Sequence, residues 1–100
     1  MTKEEAIQLE NRCDKIMSGY LGEECVVCLA LSGRLKIMFN EGDYVTWNMN
    51  ANNPAYINYR GFYRDLQKYV NSIKKCISDN FDIFDQLIYS YEHRKELEDT

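Results

Sequence analysis

At Glu24 the hydrophobic period changes from helical to alternating, and that change restricts the chain to folds that join helices to an antiparallel sheet. Before it, Ala6, Leu9, Cys13, Ile16, Met17 and Tyr20 recur every three or four residues, a stripe about 100° wide on a helix. Thr2 and Glu5 have capping-box spacing, and Gly19 and Gly22 offer left-handed stops, so a helix over residues 3–19 is predicted. After Glu24 the side chains alternate. Cys25–Leu31, Leu35–Phe39 and Tyr44–Met49 are short aliphatic and aromatic runs, divided by Ser32-Gly33 and Glu41-Gly42-Asp43. That pattern predicts a three-stranded meander.

Turn length sets the predicted register. A two-residue Ser-Gly turn places Ala30 opposite Leu35, Cys28 opposite Ile37 and Val26 opposite Phe39. A three-residue second loop, with Gly42 left-handed, pairs Phe39 with Val45, Ile37 with Trp47 and Leu35 with Met49. The predicted inner face is then Val26, Cys28, Ala30, Leu35, Ile37, Phe39, Val45, Trp47 and Met49. Val27, Leu29, Leu31, Met38 and Tyr44 are left outside. So apolar an outer face needs cover. One of the protein's own helices is the leading expectation for it, and a partner is the alternative.

Asn50–Ala55 reads as a loop in which Asn53 caps a second helix and Pro54 takes its first position. Over Tyr56–Ile77 that helix gathers Tyr59, Phe62, Leu66, Tyr69, Val70, Ile73, Cys76 and Ile77 on one face. Arg60, Arg64, Lys68 and Lys75 fall opposite, with Gln67 and Asn71 between them and Tyr56 and Tyr63 flanking. Gly61, expected inside this helix, costs about 1 kcal/mol there and implies either tight packing or a close approach to the backbone. Ser78-Asp79-Asn80 ends it. A third helix buries Phe81, Phe84, Leu87, Ile88 and Tyr91, and Asp79, Asp82 and Asp85 lie in its first turns, where the helix dipole favours them. On its other side Asp82, Asp85, Tyr89, Glu92 and Glu96 form an acidic ridge. Only Leu97 remains to be buried after Tyr91, so residues 93–100 are expected to fray. The predicted fold is a single α+β domain over residues 1–100, in the order α-β-β-β-α-α.

At 45% hydrophobic and 13% aromatic, the chain is too apolar for a disordered one. Its net charge of −4 is unevenly spread: residues 51–78 carry five basic groups against Asp65 alone, while 79–100 carry seven acids against Arg94 and Lys95. The amino terminus, MTKEEAIQLE, has no apolar stretch behind a basic start, and the longest apolar run, Cys25–Leu31, is too short to span a bilayer. A cytoplasmic location with reduced thiols and no membrane association is therefore expected.

Residues Cys25 and Cys28 form a CxxC, but residues three apart on a strand point to opposite faces and cannot converge on a metal. Cys13 and Cys76 sit singly on apolar helical faces. His93, beside Glu92, Arg94 and Lys95, reads as a solvated histidine. No P-loop, GxGxxG, GxSxG or HExxH occurs. These readings predict no catalytic residues, no metal and no cofactor, hence no enzyme.

The order helix, meander, two helices in a small acidic chain resembles that of small phage-encoded anti-CRISPR proteins, which plug nucleic-acid sites on Cas nucleases. The resemblance lies in element order and acidity, and the basic second helix departs from simple charge mimicry. It implies a phage or mobile-element inhibitor, acting in the host cytoplasm, that occludes a site on a larger nucleic-acid-handling protein. The contact residues would be Asp82, Asp85, Tyr89, Glu92 and Glu96, together with the meander's outer face. The alternative is a small nucleic-acid-binding regulator using Arg60, Arg64, Gln67, Lys68, Asn71 and Lys75. The opposed basic and acidic surfaces are also compatible with a homodimer.

Overall fold

The computed structural model describes residues 1–31 and 33–93. The predicted fraying lies almost wholly outside them, as do Glu96 and Leu97. The class is α+β, in the order α1 (Lys3–Leu21), β1 (Cys25–Leu29), β2 (Leu35–Phe39), β3 (Asp43–Asn48), β4 (Asn53–Asn58), α2 (Tyr63–Asp79) and α3 (Phe81–Glu92). The four strands form one antiparallel sheet in chain order. The expected three-stranded meander is thus one strand short.

The missing strand is β4, in the segment read as a loop and helix start. Pro54 sits on an edge strand, where a residue without N–H is tolerated, and not at the first position of a helix. Pairing with β3 captures Tyr56, Ile57 and Asn58, so α2 begins only at Tyr63, behind Phe62. Gly61 therefore lies in the connection and not in the helix. A Cβ there would collide with the hydroxyl and ring of Tyr59. What approaches the backbone closely is the protein's own Tyr59, held between Phe39 and Tyr69.

The first hairpin closes between Ala30 and Arg34, one residue longer than a Ser-Gly turn, with Gly33 left-handed. The pairing becomes Cys25 with Phe39, Val27 with Ile37 and Leu29 with Leu35. A one-residue change in register turns every side chain of a strand over. Cys25 and Val27 face the core, and Val26 and Cys28 face away, the reverse of the expectation. In the second hairpin the loop has three residues, as expected, but starts at Asn40. Phe39 pairs with Asp43, Ile37 with Val45 and Leu35 with Trp47. That two-residue shift keeps parity, so Leu35, Ile37, Phe39, Val45 and Trp47 still point inward.

All three helices contribute to the core on this inner face. The capping box at Thr2 and Glu5 forms, and Gly22 ends α1 at φ 75°. Cys13 and Met17 of α1, Ile73, Cys76 and Ile77 of α2, and Phe84 and Leu87 of α3 join Trp47, Phe39 and Leu35 in one cluster. Phe81, expected to be buried, is exposed, whereas Ser90 is buried and satisfied by the Leu87 carbonyl. The Trp47 indole donates to Asn52 Oδ1 at 2.9 Å, and Asn52 Nδ2 donates to Ser78 Oγ at 2.8 Å. Asn52 thus ties the β3–β4 turn to the end of α2. Among the described residues no helix is long and apolar enough to cross a membrane.

Candidate interaction surfaces

Because the helices occupy one side of the sheet, the register defines what the other side presents. Two cross-strand rows look outward: Val26, Met38, Tyr44 and Asn58, then Cys28, Lys36, Thr46 and Tyr56. None of the described helices lies over them, so the expected cover by an own helix is not found. Val26 is 49% exposed and Tyr56 58%. The Tyr44 and Tyr56 rings stack with centroids 6.0 Å apart, and Lys36 Nζ stands 4.2 Å from the centre of the Tyr44 ring. Two open grooves meet at Lys36 and Tyr44. One, about 1000 Å³, reaches Lys15 and Glu24, and the other, about 540 Å³, reaches Leu31 and Tyr56.

The strand that borders the larger groove is protected at its edge. Asp14 accepts a hydrogen bond from the Val27 N–H at 2.8 Å, and Ser18 Oγ accepts one from the Cys25 N–H at 3.0 Å. These side chains of α1 occupy donors that another strand would otherwise use. Burial pushes the Asp14 carboxyl upward, and the Val27 N–H works against that shift.

The acidic ridge is present on α3. Asp82, Asp85, Tyr89 and Glu92 are exposed. The Tyr89 ring stacks on His93 at 3.8 Å, so that histidine is half-buried and not fully solvated as expected. Since α3 contributes Phe84 and Leu87 to the inner-face core, its ridge and the open sheet face lie on opposite sides of the sheet. The ridge's Glu92 end reaches the β1–β2 turn, where a Cβ on Gly33 would stand 3.6 Å from Glu92 Oε1.

The basic stripe is shorter than expected. Arg60 precedes α2; its Nε lies 3.0 Å from Asp43 Oδ1, and its guanidinium also donates to the Glu41 carbonyl. This pair pins the β2–β3 turn to the connection that leads into α2. Burial pushes the Asp43 carboxyl upward, but bonds from Arg60 and Asn40 outweigh it and hold the group below its ordinary 3.8. The ionised pair therefore stabilises the fold above pH 3.8, and that contribution is lost as pH falls through the depressed value. Arg64, Gln67, Lys68, Asn71 and Lys75 remain exposed along α2. Lys75 is 3.6 Å from Asp79, and Gln67 donates to the Tyr63 hydroxyl at 2.7 Å. Tyr63 flanks this face, whereas Tyr56 belongs to the sheet.

The thiols point in the expected opposite directions at Cys25 and Cys28. Burial raises all four, with Cys13 and Cys76 at about 12, which disfavours the reactive thiolate. Among the described residues no three His, Cys, Asp or Glu side chains come together in a way that could hold a metal ion. The sequence does not single out Lys36 and Thr46 and sets Tyr56 beside the basic stripe, because their shared face depends on register and on a strand the pattern does not reveal.

Comparison with protein-family models, curated proteins and solved structures finds no significant match.

Proposed function

We propose that this chain is a non-enzymatic, cytoplasmic interaction protein that binds a larger protein through the open face of its sheet. The observation that carries this reading is the uncovered outward face on which Val26, Met38 and Tyr44 of one row lie beside Tyr56 of the next. Apolar and aromatic surface left in water gains free energy when a partner covers it, and aromatic side chains dominate the centres of protein contacts. Solvated carboxylates gain little from the same event. The ridge of Asp82, Asp85 and Glu92 serves instead to steer the acidic chain toward a basic partner, such as a nucleic-acid-handling protein whose site the sheet face would occlude. An inhibitor from a phage or mobile element fits that mode of action.

Affinity capture with the tagged protein, followed by mass spectrometry, identifies the partner, and variants then assign the surface. Met38→Glu with Tyr44→Ser is expected to abolish the complex. Asp82→Lys with Asp85→Lys should slow association and weaken its salt dependence while leaving the complex intact. Retention of the partner by the sheet-face variant would defeat the reading. A second reading, a nucleic-acid-binding regulator, is favoured by the exposure of Arg64, Lys68 and Tyr63 along one side of α2. Under the lead reading, labelled oligonucleotides titrated at low salt give no binding. A salt-dependent affinity lost in Arg64→Glu with Lys68→Glu would move the function to α2.

A further inference from the structure

Between Asp43 and Arg60 the sequence has no charged residue, in a chain that is 28% charged. The structure makes this neutral run into β3, β4 and their turn, at one edge of the sheet. No residue of β4 is buried, and Tyr56 and Ile57 are exposed. The two edges of the sheet are thus treated differently. Asp14 and Ser18 occupy the outward donors of Val27 and Cys25 in β1, whereas among the described residues no other element bonds to the outer edge of β4.

We infer that the free edge of β4 pairs antiparallel with β4 of a second copy, across a two-fold axis at Ile57, joining two four-stranded sheets into one of eight. Three observations lead to a second copy as the occupant. Cys25 and Val27 turn their N–H groups away from β2. Carrying that alternation across the registers of the sheet turns the N–H and C=O of Ile57 away from β3. Self-pairing at Ile57 sets it against its own copy and Tyr56 against Asn58, a self-complementary match of the kind a two-fold requires. Edge strands that avoid self-pairing commonly carry charge, because like charge meets like across the axis, and β4 carries none.

Pro54 and the register shift between Thr46 and Trp47 blunt the first part of the strand. They confine pairing to residues 55–59 and so place its centre at Ile57. The contact is small and its association weak. It is also separate from the open-face contact: Met38→Glu should leave it unchanged.

The test is the mass of the purified protein in solution by sedimentation equilibrium, from roughly 1 to 500 µM, where small interfaces dissociate. The wild type should shift from monomer to dimer with concentration. Ile57→Lys and Ile57→Glu should each stay monomeric with unchanged circular dichroism, and an equimolar mixture of the two should dimerise. Amide exchange on the wild type needs no variant, and protection of residues 55–59 should rise with concentration. A wild type that stays monomeric throughout, variants that dimerise as it does, or a mixture that fails to associate would each overturn the inference.

Discussion

Replacing Trp47 by alanine should lower the unfolding free energy by about 3–5 kcal/mol, the largest loss expected from any single truncation in this chain. Trp47 is 0% exposed, lies opposite Leu35 in the sheet, and belongs to the cluster that all three helices share. Truncation removes the transfer free energy of a large ring and leaves a cavity between two packed layers that cannot close around it. A domain of this size has roughly 5–15 kcal/mol in total, so the variant should sit near the limit of folding. Trp47 is the only tryptophan, so the change must be followed by circular dichroism and not by fluorescence. Urea titration should show a lower midpoint with an unchanged slope. A loss below about 1 kcal/mol would mean that the indole lies outside the core.

Asn52→Ala should cost about 2–4 kcal/mol, for two separable reasons. The first is the acceptor: without Oδ1 the fully buried Trp47 N–H has no partner, a loss of about 1–3 kcal/mol. The second is the backbone: Asn52 stands at φ 51°, a left-handed position that alanine occupies at a cost of about 1 kcal/mol or more. Asn52→Gly removes the acceptor and keeps the backbone relaxed, so it should be the milder of the two. The Asn52→Ala cost should also shrink when it is made in Trp47→Phe, which has no N–H to leave unpaired. Equal costs in the two backgrounds would show that the hydrogen bond contributes nothing.

What the sequence revealed followed from where polar residues interrupt the apolar ones. Helix α1 was legible because a capping box, a six-residue stripe and Gly22 agree. Strands β2 and β3 were legible in parity because Lys36, Tyr44 and Thr46 mark the outward positions. The run Cys25–Leu31 holds no polar residue, so β1 gave no sign of its own parity, and a turn longer by one residue reversed it. In Asn53-Pro54 two helix-start signals coincide, and pairing with β3 overrode both. The same misreading carried Arg60 onto the helix, where the fold instead fastens it to Asp43. Exposure of Asp82, Asp85, Arg64 and Lys68 was readable from helical spacing alone. The bare sheet face was not, because it depends on where three helices settle.

That bare face is the centre of the account, and native-state alkylation tests it most directly. With iodoacetamide at mildly alkaline pH, peptide mass spectrometry should find the first adduct on Cys28, the one thiol on the outward rows. Cys13, Cys25 and Cys76 should stay protected until denaturant unfolds the chain. Modification of Cys25 ahead of Cys28, or protection of all four thiols in the native protein, would contradict it.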